Sequence, residues 1–404
     1  MLLLELAILF SPIQSFVVTN FIKGLTLFNF FIILIALKKV IFFNKKFIKY
    51  MGIFLFLYFS FAFIQQLTNL LIIDLHYNIL NNLIFISQEN VNHLFFRKSF
   101  FTQTLYLIVD IIFFICLLQY LKRNGRDKLL KVAYFSIILF IVYGYYEFFF
   151  YLITHNNPDF ISNRITGKDF HYGLFQTITI AGINIQRIKS LAGEPSMFAF
   201  TLLPFFILSI YLKKYIFSII SFITLLISTS TTAILGIFVF FLLDLIYGKN
   251  RIIKLVIVVM FFSIIIIFNY NIIYSLYLVT ESKLTLQSVS GIQRFTYFYN
   301  HFNAWLNSDF FHKLFGYGFG YVRSTDGITT LLFNIGILGT IGYCMFFLLP
   351  YFLLKKKNNY IKGLYISNFV LLIIILISVP EFYYPQIWLF NALLWYEYIK
   401  EKAN

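Results

Sequence analysis

Long uninterrupted apolar runs constrain this chain more than any other feature. A helix needs about 17–25 apolar residues to cross the hydrocarbon core of a bilayer. Such runs occur near 2–19, 24–43, 51–73, 101–121, 132–154, 195–212, 215–229, 231–247, 255–271, 328–350, 363–379 and 385–397. With 60% hydrophobic and 12% charged residues over 404 positions, the chain has too little polar surface for a water-soluble domain of ordinary proportions. The expected fold is all-α, a single polytopic integral membrane domain over residues 1–404 with about twelve transmembrane helices. Tight turns are expected at Asn20 to Gly24 and at Ser228-Thr229-Ser230-Thr231-Thr232.

The cations orient the helices. Lys38, Lys39, Lys45, Lys46, Lys49, the cluster from Lys122 to Lys131, Lys213-Lys214, Lys249 to Lys254 and Lys355-Lys356-Lys357 all fall in short connections on one side. By the positive-inside bias that side is the cytoplasm. The long polar loops at about 74–100, 155–194 and 272–327 then lie outside, the last between helices 9 and 10, and all six histidines fall in or beside them. The formal charge of +16 belongs to these topological anchors facing anionic lipid, so no nucleic-acid partner is expected. Cys116 and Cys344 sit singly in separate apolar runs, which suggests neither a disulfide framework nor a metal cluster. No cleavable signal is evident, and the first span is expected to be retained. There is no Walker loop, dinucleotide fingerprint or HExxH pair, which argues against ATP-driven transport and zinc proteolysis.

Arginine is sparse on the outer side: Arg97, Arg164, Arg187, Arg294 and Arg323. Its planar fork binds phosphate bidentately at any relevant pH, which suits a pyrophosphate held at a membrane surface and singles out Arg187, Arg294 and Arg323, for each of which a snorkelling anchor is the alternative. Arg187-Ile188-Lys189-Ser190-Leu191-Ala192-Gly193-Glu194-Pro195-Ser196 sets two cations and a carboxylate directly against an apolar run. Proline here marks a helix start, so Glu194 serves either as a dipole-stabilised cap or as a general base beside Arg187 and Lys189. Gly316, Gly318 and Gly320 alternate with aromatics before Arg323-Ser324-Thr325-Asp326, a density that lets backbone fold tightly or approach a ligand. Of the acids inside spans, Asp244 and Glu147 lie near span ends, whereas Asp110 is deeper and keeps proton-coupled transport open.

Several motifs in order, Arg187-x-x-Ser190-x-x-Gly193-Glu194-Pro195-Ser196, the Ser/Thr turn at 228–232, Gly291-x-x-Arg294, Leu314-Phe315-Gly316-x-Gly318-Phe319-Gly320 and Asn334-x-Gly336-x-Leu338-Gly339, resemble the O-antigen polymerase (Wzy-type) and O-antigen ligase superfamily of bacterial envelope glycosyltransferases. The resemblance covers about residues 187 to 342. It implies a metal-independent, cofactor-free transferase of the bacterial inner membrane, working at its periplasmic face. Its substrate would be an undecaprenyl-diphosphate-linked oligosaccharide, and its partners membrane lipid and a chain-length regulator protein. The implied catalytic residues are Arg187, Arg294, Glu194 and Asp326. Substrate binding would fall to Arg187, Lys189, Ser190, Arg294, His301, Gly318 and Arg323. The arginines would stabilise charge on the departing diphosphate, and Glu194 would take the acceptor proton. One departure favours polymerase over ligase: Ser324-Thr325-Asp326 stands where the ligases are expected to carry a histidine, and His301 and His312 come earlier. A ligase acting on lipid A-core and a polysaccharide flippase remain the alternatives.

Overall fold

The structure is a computed structural model that describes residues 2–19, 24–71, 80, 82–90, 94–164, 175–180, 183–247 and 289–403. The expected span at 255–271, His76, His93 and His171 lie outside the described residues. Twelve α-helices form among the described residues: α1 (Leu2–Phe10), α2 (Leu27–Ile41), α3 (Lys45–Leu71), α4 (Lys98–Thr154), α5 (Pro195–Tyr211), α6 (Tyr215–Ile227), α7 (Thr231–Tyr247), α8 (Val289–Leu306), α9 (Phe310–Phe315), α10 (Gly327–Leu353), α11 (Asn359–Ile377) and α12 (Pro385–Ala403). Four of them, α3, α4, α10 and α11, are long and apolar enough to cross a membrane. The chain is thus a mostly helical, membrane-embedded protein. Its outward residues agree, since side chains such as Phe56, Phe63 and Ile153 are 73%, 65% and 81% exposed along apolar helices, a surface suited to lipid rather than water.

Helices and expected spans do not correspond one to one. The run at 2–19 is helical only over nine residues, after which 11–19 and 24–26 form irregular backbone joined by the bridge Val17↔Thr26, and the expected turn residues 20–23 lie outside the described residues. The runs at 101–121 and 132–154 fuse into the 57 residues of α4, about 85 Å at helical rise and far beyond one bilayer core of about 30 Å. Non-helical backbone at Gly125 (φ 76°) divides α4 into two arms. Gln103 and Tyr106 of the first arm line the same cavity as Arg164, just beyond the second, so the arms double back. Inside the expected outer loop 155–194 lies a two-stranded antiparallel hairpin, β1 (Thr177–Ile180) and β2 (Ile183–Gln186), a small departure from an all-helical fold.

The described lysine-bearing connections gather at one end, and the expected cluster Lys249 to Lys254 lies outside the described residues. Lys128 pairs with Glu5 at 2.8 Å, Arg126 with Glu397 at 3.2 Å, and the amides of Lys355 and Lys356 donate to Glu401 at 3.0 Å. At the centre stands α11, where Leu364, Ile366, Val370, Leu371, Ile374 and Ile375 are fully buried, while the stripe Lys362, Phe369, Ile373 and Leu376 is partly exposed. Without a hydrophobic drive between helices in lipid, close backbone approach at small residues must hold such a bundle. A Cβ on Gly236 would lie 2.4 Å from Leu203, and one on Gly363 would lie 2.8 Å from Tyr211.

Candidate functional site

Irregular backbone is tolerated at membrane depth only where protein or a cavity satisfies it. At the end opposite the lysines, the loop after α1 meets the segments before α5 through such bonds. The Gln14 and Ser15 amides donate to the Leu191 carbonyl at 2.9 and 3.0 Å, and the Asn163 and Arg164 amides donate to that of Ser15. The Asn163 side chain brackets Val17, accepting from its amide at 2.7 Å and donating to its carbonyl at 2.8 Å. Tyr384, before α12, donates to the Ala192 carbonyl at 3.4 Å. These contacts bring Gln14, Arg164, Glu194, Arg323, Glu381 and Tyr384 around one polar cleft of about 250 Å³. A second cavity of about 180 Å³ shares Gln14, Arg164, Arg323, Glu381 and Tyr384 and continues inward to Asp110. Asp110 is 2% exposed, and its Oδ2 has no hydrogen-bond partner among the described residues.

Glu194 occupies the N-cap position of α5, yet its carboxylate caps no backbone amide. It instead accepts the Ser196 hydroxyl at 2.6 Å and lines the cleft. Gly193 before it has φ 99°, which a side chain would strain. Arg323 is about half exposed and its guanidinium grips Glu381. Arg164 is exposed, donates to the Gln14 carbonyl at 3.3 Å, and has no carboxylate partner among the described residues.

Other expected site residues are placed elsewhere. Arg187, at the end of β2, clamps the turn between α6 and α7: its Nε donates to Thr229 Oγ1 at 3.0 Å and its Nη2 to the Thr229 carbonyl at 3.1 Å. Its Nη1 donates to Gln176. Burial draws its pKa down against the opposing pull of Glu194. Its fork is therefore largely occupied by protein acceptors. Lys189, expected to bind substrate, is fully buried and paired with Glu147 at 3.1 Å and with Asp159. Burial works to raise the Asp159 carboxyl, but Lys189 and the bonds from Ser162 outweigh it and hold the pKa below normal. A buried ammonium already shared by two carboxylates cannot turn to an external anion without leaving both uncompensated. Ser190 is also turned inward, its hydroxyl donating to the Phe140 carbonyl at 2.7 Å.

Asp326, expected to be catalytic, is the N-cap of α10. Its carboxylate accepts the Thr329 amide, the Thr329 hydroxyl and the Ser324 hydroxyl, each at 2.8 Å, and is buried away from the cleft. His301 is fully buried, its Nδ1 bonded to the Tyr297 carbonyl at 2.7 Å and its Nε2 accepting the Ile84 amide at 3.4 Å. Burial lowers its pKa despite Tyr297 and Asp326. Arg294 is exposed on α8, where its backbone carbonyl accepts Thr325 at 3.5 Å, and it lines neither cavity. Arg187 and Arg294 thus share no contact in the structure.

The glycine run packs against protein backbone. Non-helical Gly336 (φ 64°) interrupts α10 and releases the carbonyls of Phe333 and Asn334, which take the amides of Tyr317 at 2.9 Å and Gly318 at 3.0 Å. A Cβ on Gly316 would lie 2.5 Å from the Asn334 carbonyl carbon, and one on Gly336 would lie 2.3 Å from the Leu314 oxygen. Gly318 lies under the Tyr321 ring, whereas Gly320 reaches the cavity wall. Sequence reasoning missed Glu381, Tyr384 and Gln14, and gave Arg164 no role. The acid in Val379-Pro380-Glu381, set between two apolar runs, was the available signal.

Comparison of the chain with protein-family models, with curated proteins and with solved structures gave no match.

Proposed function

We propose that this chain is a membrane glycosyltransferase, an O-antigen or related surface-polysaccharide polymerase that transfers a growing glycan from undecaprenyl diphosphate onto a lipid-linked repeat unit. In this reading the chain crosses the bacterial inner membrane about twelve times, with the lysine-bearing end in the cytoplasm and the cleft facing the periplasm. The observation that carries it is the meeting of Arg164 and Arg323 with Glu194 in one outer-end cleft. Two guanidinium groups suit a diphosphate leaving group, and a carboxylate without a capping duty suits the acceptor proton.

In the proposed step the acceptor oxygen bonds to the anomeric carbon as the carbon–oxygen bond to diphosphate breaks. Glu194 receives the hydroxyl proton, and the electron pair leaves on the diphosphate oxygen, stabilised by Arg164 and Arg323. Arg187 acts one layer back, positioning the 228–232 turn and, through its charge, Glu194.

The test is polymerisation of purified lipid-linked repeats by the full chain in detergent, which needs no second compartment. Arg164→Ala, Arg323→Ala and Glu194→Gln should each abolish the polymer ladder while the protein remains monodisperse. Full ladders from all three variants sink the assignment. Asp110, with its unpartnered oxygen at the inner end of the cavity, favours a second reading as a proton-coupled transporter. Asp110→Asn would then abolish uptake into vesicles in a protein that forms no glycosidic bond.

A further inference from the structure

A large apolar recess lies at the lysine-bearing end, away from the cleft. Its volume is about 750 Å³, and α3, the first arm of α4, α10 and α12 form its walls, with Phe54, Leu107, Ile111, Phe114 and Trp388 among its lining. On α4 the lining runs from Leu107 to Lys122, roughly 22 Å of helix and longer than the depth of one leaflet's hydrocarbon. The recess exists because α3 is fastened unevenly. Its outer half is tied down: Tyr58 bonds Thr104 at 2.6 Å, Gln65 donates to the Asn334 carbonyl at 2.9 Å, and Gln66 accepts the Phe96 amide at 2.8 Å. Along its lysine-bearing half only Phe47 and Met51 are buried. The helix therefore stands off from α4 and α12 there, leaving a wedge of half-buried aromatic and aliphatic side chains.

Three cations, Lys46, Lys122 and Lys400, stand at the mouth of this wedge. They are exposed, and none forms an ion pair among the described residues. The nearby acids of α12 are engaged elsewhere, Glu397 by Arg126 and Glu401 by the amides of Lys355 and Lys356. No acid lines the wedge. The mouth is thus a cationic rim at a membrane surface above a long apolar slot, the arrangement that receives an anionic headgroup with acyl chains below it.

We infer that the wedge is a specific site for one anionic phospholipid of the leaflet at the lysine-bearing end, its phosphate held by Lys46, Lys122 and Lys400 and an acyl chain lying along Ile111 and Phe114. The bound lipid completes the packing between α3 and the bundle that the chain leaves open. The site is independent of the transferase reading, because it uses none of the cleft residues.

Native mass spectrometry of the full chain in detergent tests this with three probes: palmitoyl-oleoyl phosphatidylglycerol, phosphatidylcholine with the same chains, and undecaprenyl phosphate. One phosphatidylglycerol should be retained in preference to the other two. Replacing the lysines together (Lys46→Gln, Lys122→Gln, Lys400→Gln) should weaken its binding roughly 100-fold, given the worth of each cation near an anionic surface. Ile111→Trp, which fills the slot and spares the rim, should also release it. The lysine variant changes only exposed side chains, so it carries the test even where the tryptophan variant does not fold. Equal retention of phosphatidylcholine, undiminished binding by the lysine variant, or displacement of phosphatidylglycerol by equimolar undecaprenyl phosphate overturns the proposal.

Discussion

Replacing Lys189 should cost this protein its stability before it affects any chemistry. The ammonium, Glu147 and Asp159 are all fully buried, and the ammonium joins the second arm of α4 to the loops that shape the cleft. At 3.1 Å and an effective dielectric of about 20, one Lys–Glu contact is worth about 5 kcal/mol before desolvation is charged against it. Removing one partner of such a group typically costs about 3–5 kcal/mol, because the remaining charges stay buried without compensation. Lys189→Ala should therefore lower the folding equilibrium constant by roughly two to three and a half decades. Reversible denaturation in mixed micelles, followed by tryptophan fluorescence, measures this directly. A triple variant carrying Lys189→Met, Glu147→Leu and Asp159→Asn should recover most of the loss, since an apolar replacement of a buried ion group is often neutral. If Lys189→Ala denatures within about 0.5 kcal/mol of the parent, as surface substitutions do, the buried triad is refuted. A substrate-binding role for Lys189 would be restored if only the KM for lipid-linked donor then changed.

Gly336→Ala should destabilise by about 2–4 kcal/mol, combining the left-handed backbone penalty with a Cβ 2.3 Å from the Leu314 oxygen, as read by the same denaturation assay. Asp326→Ala should cost about 1 kcal/mol through loss of the α10 cap, with Asp326→Asn costing less, and the turnover of folded protein should stay unchanged in both. Burial lowers the pKa of His301, and of His312 despite Asp309. Between those depressed values and the ordinary 6.5 the unfolded chain binds more protons, so their contribution is complete above about pH 6.5 and is lost as pH falls through the folded values. Denaturation midpoints at pH 7.5 and 5.5 should show this decline, and His301→Gln should flatten it.

Helical segments were legible because period and length in a membrane chain are dictated by bilayer thickness, and α10, α11 and α12 begin within four residues of the expected runs. The lysine-bearing end was legible for the same reason, since the cations of short connections have nowhere else to go. Hydropathy could not show that the run at 2–19 unwinds after Phe10, because Ser15 and Val17 are satisfied by Leu191 and Asn163 from distant loops. Arg187 and Lys189 attracted attention correctly as charges against an apolar run, but sequence cannot say whether a buried charge faces a ligand or a carboxylate. Lys189 depends on Asp159, thirty residues away, and Arg187 on Thr229 in another connection. The cleft residues Arg164 and Glu381 are separated by more than half of the chain, so the acid between two apolar runs at Val379-Pro380-Glu381 could mark a position but not its partner.

The glycine-rich run and the broken helix behind it hold one another by paired amides and carbonyls, with Asn334 bonding Val322 in both directions at 3.0 and 2.9 Å. The cavity wall bearing Gly320 and Arg323 is consequently coupled to the first two turns of α10 as a single plate. A displacement of one must therefore carry the other, while the break at residue 336 separates both from the remainder of α10.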